Sequence, residues 1–183
     1  ESQLGHKESI PDTARVLERQ VSAIVWRTFG QDRIEEMAAY SSVPVINALT
    51  DDDHPCQALT DIFTFIESFS DVAGRKITYL GDGNNVAASL AEAGAMAGID
   101  VCLGVPEGCD LPEAKMATLA GLGEQYGTRI WVERDPRTAV ADASALYTDV
   151  WISMGQSDDT GKVASLEPYR IDADLLAAAA PDA

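Results

Sequence analysis

The feature that most constrains the fold is a regular alternation of short apolar runs with amphipathic segments, joined by short connections. Residues 22–28 (SAIVWRT), 43–49 (VPVINAL), 77–80 (ITYL), 99–106 (IDVCLGVP), 129–135 (RIWVERD) and 144–151 (SALYTDVW) have strand character. Helical segments lie between them at 11–20, 31–41, 85–98, 113–127 and 136–143, with a last one at 171–183. In 31–41, Ile34, Met37 and Ala38 share a face, with Ser41 at its edge. After Asp53, Leu59, Ile62, Phe63 and Ile66 recur at spacings of three and four, which predicts an amphipathic helix. Strand and helix in strict alternation predict an α/β fold of doubly wound parallel sheets, each covered on both faces.

In such sheets ligands bind at the carboxyl ends of strands. Applied here, that rule selects Arg27 and Thr28, Asn47 to His54, Gly81 to Asn85, Val105 to Glu107 and Thr148 to Met154. Unusual polar residues concentrate at the same places.

Composition narrows the partners. Thirteen basic against 30 acidic residues give a net charge of -17, which disfavours nucleic acid and anionic membrane surfaces. The acidic excess is spread along the chain, a pattern expected of a protein adapted to high salt, where counterions screen self-repulsion. No apolar run approaches a membrane span, and ESQLGHKESIPD lacks the order of a signal peptide, so the expected location is cytoplasmic. Three cysteines, Cys56, Cys102 and Cys109, form no CxxC and no zinc spacing, so no metal site is expected.

Each strand end has its own chemistry. In DHPCQ (53–57), Asp53 suits an N-cap and Pro55 the first helical turn. Taken alone, this is an ordinary helix start with a packed His54 and a solvated Gln57. The other reading is a place where helix N–H groups, His54 and Gln57 meet a polarised oxygen. His54 and Cys56, two apart on a helix, do not face each other, which argues against a nucleophile pair. Arg27 offers a rigid fork of donors for phosphate or a carbonyl oxygen, or a surface ion pair. YLGDGNN (79–85) resembles a dinucleotide-binding turn, but the third glycine of G-x-G-x-x-G is replaced by Val86. Its glycines otherwise only turn the chain, and its asparagines read a ligand's carboxylate or ammonium. Asp149 with Ser153 four residues on suits an amino group, beside an apolar wall from Trp151 and Met154; an ordinary loop with one aromatic anchor is the other reading.

In combination these segments are more specific. SQLGHKESIPDTARVL, WRTFGQDRIEEMAAY, VPVINALTDDDHPCQALTDIFTF, YLGDGNNVAASL and YTDVWISMGQ resemble, in order and spacing, the aspartate/ornithine carbamoyltransferase family. H-P-C-Q belongs to the family at large, whereas D-x-x-x-S-M-G is similar to its ornithine-specific members. The resemblance implies transfer of a carbamoyl group from carbamoyl phosphate to the side-chain amine of L-ornithine, giving L-citrulline, in arginine biosynthesis, arginine breakdown or the urea cycle. It implies that Arg27, His54 and Gln57 are catalytic and surround the carbamoyl group, with Gln3 and Lys7 also binding carbamoyl phosphate. It implies that Asn85, Asp149, Ser153 and Met154 bind ornithine, that no metal or organic cofactor is needed, and that the protein is a homotrimer or a multiple of trimers.

The implied domains are 1–50, the C-terminal part of a carbamoyl-phosphate-binding domain, and 51–183, an ornithine-binding domain incomplete at its C-terminus. The sequence contains neither the S-T-R-T-R nor the H-C-L-P segment of the family. It is therefore expected to be an internal piece with little or no turnover alone. Two other expectations stand beside this one: a nucleotide-binding oxidoreductase domain built on Gly81 to Gly83 with Glu107 as the ribose-binding acid, and a non-catalytic paralogue that binds an amino acid.

Overall fold

The computed structural model describes residues 8–152 and 160–183. The chain divides into two compact units, Glu1–Gln57 and Ala58–Ala183.

In the first unit, α1 (Ile10–Leu17) starts where Ser9 accepts a hydrogen bond from the Asp12 amide at 3.2 Å, with Pro11 in the first turn. Strand β1 (Ile24–Arg27), α2 (Gln31–Tyr40) and β2 (Val45–Leu49) follow. The strands pair in parallel, Ile24 opposite Val45 and Arg27 opposite Leu49. Ile10, Ala14, Ile24 and Met37 form the core. Helix α2 buries Ile34 and Met37 as expected, but Ala38 is exposed. Val25 and Ile46, paired across the strands, are exposed among the described residues.

Helix α3 (Pro55–Ser68) contains the division between the units. Its buried face is not the one that the spacing of Leu59, Ile62, Phe63 and Ile66 marks. Ala58, Ile62 and Phe65 are buried, while Leu59 (65%) and Phe63 (60%) are largely exposed, with Ile66. Two apolar stripes share Ile62, and spacing alone does not rank them.

The second unit is built on a four-stranded parallel sheet in the order β5-β4-β3-β6: β3 (Lys76–Leu80), β4 (Asp100–Gly104), β5 (Ile130–Glu133) and β6 (Ala145–Tyr147). Alternate residues serve two cores. Ile77, Tyr79, Val101 and Leu103 pack with Phe65, with α4 (Asn85–Met96) and with Leu119 of α5 (Glu113–Tyr126). Leu80 and Cys102 pack on the other face with α6 (Pro136–Val140), Tyr169 and Leu175. Both faces are covered, as a parallel sheet requires.

Small residues let α4 lie close to the sheet: a Cβ on Gly94 would stand 2.6 Å from Val101 Cγ2. Gly127 closes α5 in the left-handed region, φ 70°.

The C-terminal region departs from expectation. Helix α7 (Thr160–Leu166) and a 3-10 turn (Glu167–Tyr169) precede α8, which covers only Ala173–Leu176. Asp172 caps α8, but the Ala180 N–H donates to the Ala143 carbonyl at 3.0 Å, and Pro181 disfavours helical geometry before it. Strand β6 also stops at Tyr147, two residues before Asp149.

Candidate active site

In the first unit the loops leaving β1 and β2 are stitched together. The Thr28 N–H donates to the Leu49 carbonyl at 3.0 Å, and the Asp51 N–H to the Phe29 carbonyl at 2.7 Å. Thr50, fully buried, is the hub. Its hydroxyl donates to Gln31 Oε1 at 2.7 Å and accepts from the Asp53 N–H at 3.2 Å. The Thr50 N–H in turn donates to the Asp53 carbonyl at 2.9 Å. This closed turn delivers His54 to the start of α3, so His54 rather than Asp53 immediately precedes the first helical residue, Pro55.

Arg27 ends β1 with an exposed side chain; His54 and Gln57 are half-buried. Arg27 thus stands at the carboxyl end of β1, while His54 and Gln57 flank the start of α3, beyond the loop that leaves β2. Three N–H-bearing side chains of this kind suit a polarised or anionic oxygen. Thr50 falls within the selected stretch 47–54, but its role as hub shows only through its partner Gln31, 19 positions away.

In the second unit a polar network spans the ends of β3 and β6. Asn84 caps α4: its Oδ1 accepts from the Val86 and Ala87 N–H groups, each at 3.0 Å. Its Nδ2 donates to Asp149 Oδ2 at 3.1 Å. The Thr148 hydroxyl donates to the Leu80 carbonyl at 2.8 Å, fixing the chain beside Asp149. Tyr79 lies beneath, its hydroxyl donating to the Asp82 carbonyl at 2.8 Å. Burial, then the Asp149 and Asp82 carboxylates, push the Tyr79 phenol well above the ordinary tyrosine range, so it stays a neutral donor.

Asn85, the first residue of α4, and Asp149 are both half-buried in this region. Asn84 brings Asp149 to the start of α4; Ser153, Met154, Gln3 and Lys7 lie outside the described residues. Among the described residues no Lys or Arg lies within ion-pair distance of Asp149. A half-buried carboxylate held by a neutral amide is suited to a ligand's ammonium group.

The Gly81–Gly83 turn has a structural use of its own. A Cβ on Gly83 would stand 2.4 Å from the Cys109 carbonyl oxygen and 2.8 Å from the Leu111 nitrogen. The space that a dinucleotide fingerprint keeps for pyrophosphate is taken, at this glycine, by the chain's own backbone.

A pocket of about 620 Å³ lies elsewhere in the second unit, lined by Phe65, Ile77, Leu90, Tyr147 and Leu176 with Asp61. It holds none of the expected site residues, and its apolar lining does not match the polar network. Among the described residues no group of three or more His, Cys, Asp or Glu is placed to hold a metal ion, and no helix is long and apolar enough to cross a membrane.

Comparison with known proteins agrees with the two-part organisation. The family model for the carbamoyl-P binding domain of aspartate/ornithine carbamoyltransferase matches residues 1–67, and that for the Asp/Orn binding domain matches residues 73–183. Ornithine carbamoyltransferase from Acidothermus cellulolyticus is 54% identical over 183 residues, covering 100% of this chain and 59% of its own length. That from Listeria monocytogenes serotype 4b is 47% identical over 184 residues, covering 100% and 58%. Among solved structures, ornithine carbamoyltransferase from Pyrococcus furiosus superposes with a TM-score of 0.93 at 42% identity, over 99% of this chain and 58% of that one. The Gloeobacter violaceus structure gives 0.88 at 43% identity, over 96% and 59%. The chain thus spans less than two thirds of the length of these relatives. On these matches, which together take in nearly every residue, the chain belongs to the aspartate/ornithine carbamoyltransferase family.

Proposed function

We propose that the full-length protein containing this chain transfers the carbamoyl group of carbamoyl phosphate to the side-chain amine of L-ornithine, giving L-citrulline and phosphate. The neutral amine attacks the carbamoyl carbon, a C–N bond forms, and the carbonyl electron pair moves onto oxygen. Collapse of this tetrahedral intermediate breaks the bond to the phosphate oxygen, and the nitrogen loses a proton. Arg27, His54 and Gln57 donate to the developing oxyanion, which is stabilised most where charge appears only in the transition state. Gln3 and Lys7 bind the phosphate end. The N-terminal unit belongs to the carbamoyl-phosphate domain and the C-terminal unit to the ornithine domain, the two family models dividing the chain between residues 67 and 73. Asp149 takes the α-ammonium of ornithine, with Asn85, Ser153 and Met154 orienting the amino acid; no step calls for a metal or organic cofactor.

One observation carries this reading: Asp149 stands in the loop just beyond β6, half-buried and without a Lys or Arg partner among the described residues, and opens the D-x-x-x-S-M-G sequence. A homotrimer or multiple of trimers, a cytoplasmic location and a place in arginine metabolism belong to the same reading and rest on the family. The 183 residues expressed alone give little or no turnover.

The test is an acceptor comparison with the full-length protein, following carbamoylated product with ornithine, aspartate and putrescine. Citrulline formation far above the other two products is expected. Equal or greater activity with aspartate or putrescine overturns the assignment.

A further inference from the structure

Asn84 adjoins the residues assigned to ornithine but is not among them. Its orientation is forced. Oδ1 accepts from two backbone N–H groups, Val86 and Ala87, each at 3.0 Å. The Tyr79 hydroxyl stands 3.3 Å from the same oxygen. A flipped amide would turn its NH2 toward those two donors, so Nδ2 must face the other way. There it donates to Asp149 Oδ2 at 3.1 Å.

The cap and the Asp149 bond are therefore one device: the start of α4 fixes the oxygen, and the fixed oxygen aims the nitrogen. The backbone beside Asp149 is held separately, by the Thr148 hydroxyl on the Leu80 carbonyl at 2.8 Å. With one carboxylate oxygen engaged by a neutral donor and no Lys or Arg paired with Asp149 among the described residues, the carboxylate is set to receive a cation before ligand arrives. Pre-set geometry of this kind lowers the ordering cost of binding.

We propose that Asn84 is a positioning residue for Asp149, setting the carboxylate that receives the ammonium group of the amino-acid acceptor. The inference rests on the assignment of Asp149 to the acceptor amino acid. Asn84 acts through Asp149 and touches no substrate, and its influence falls on the acceptor, not on the carbamoyl donor.

The test uses the full-length enzyme with Asn84→Ser and Asn84→Asp. Serine and aspartate both cap helices about as well as asparagine. Serine is too short to reach Asp149, and aspartate sets a second carboxylate against it. The expected result is a rise of about tenfold in the KM for ornithine with Asn84→Ser, the scale of one hydrogen bond to a charged group. A larger rise is expected with Asn84→Asp, while the KM for carbamoyl phosphate stays at the parent's value in both variants and the unfolding midpoint stays at the parent's value with Asn84→Ser. Variants with the parent's KM for ornithine overturn the inference alone. So does a common shift in both KM values and the midpoint, which would make Asn84 only a cap. A parent enzyme that forms no citrulline overturns the assignment of Asp149, and this inference with it.

Discussion

Lys162 donates from Nζ to Asp82 Oδ2 at 2.6 Å, and the Asp82 side chain is only 9% exposed. The pair joins α7 to the turn after β3. Removing the cation leaves a buried carboxylate without its ion partner, a loss of about 3 kcal/mol or somewhat more. Lys162→Met is expected to lower unfolding stability in urea by that amount. Adding Asp82→Asn should restore part of it, because the charge that needed pairing is gone. A loss below about 0.5 kcal/mol for Lys162→Met would mean that water screens the pair.

Two glycines separate close approach from mere flexibility. The Cβ of Gly83→Ala would meet the Cys109 and Leu111 backbone at 2.4 and 2.8 Å, and backbone yields little. A cost of about 1–3 kcal/mol is expected. Gly121 lies within α5 with nothing inside 4 Å of the added carbon, so Gly121→Ala should stabilise by about 0.5–1 kcal/mol. Thermal unfolding of the two variants beside the parent checks the opposite signs.

The cysteines should differ in reactivity. Cys56 is exposed, whereas Cys102 is fully buried, and burial pushes its thiol up to about 11. Cys109 is also buried, and desolvation raises its thiol as well. Alkylation requires thiolate, so iodoacetamide at pH 8 should label Cys56 in the folded protein well before Cys102 or Cys109. Peptide mass spectrometry over time reads the order; early labelling of Cys102 contradicts the packing between its strand and α6.

A net charge of -17 on 183 residues implies strong self-repulsion in dilute buffer. Added salt screens it, with a Debye length near 3 Å at about 1 M. The unfolding midpoint of the full-length protein is expected to rise from dilute buffer to molar potassium chloride. An unchanged midpoint removes the case for adaptation to high salt.

Much of this organisation is legible in the sequence for physical reasons. Buried parallel strands need continuous apolar runs, and ITYL and DVCLG supply them at β3 and β4. Small residues announce the close packing of α4, and Gly127 its neighbour's end. What stays hidden depends on distant partners. The inward face of α3 is set by the sheet it meets, not by the spacing of Leu59, Phe63 and Ile66. Helix α7, with Gly161 and a polar start, gains its support from Lys162 on Asp82 and from buried Leu166. Asn84 was within reach: an asparagine before a helix is a preferred cap. Its link to Asp149, 65 positions on, was not.

In the proposed reaction two sets of residues divide the labour, and substrate-resolved kinetics of the full-length protein tests that division most directly. His54→Ala should lower kcat by about a hundredfold or more, the loss of one oxyanion donor, with the KM for ornithine little changed. Asp149→Asn should raise the KM for ornithine about tenfold or more, with the KM for carbamoyl phosphate unchanged. Asp149→Asn acting on carbamoyl phosphate instead, or His54→Ala leaving kcat intact, would contradict it.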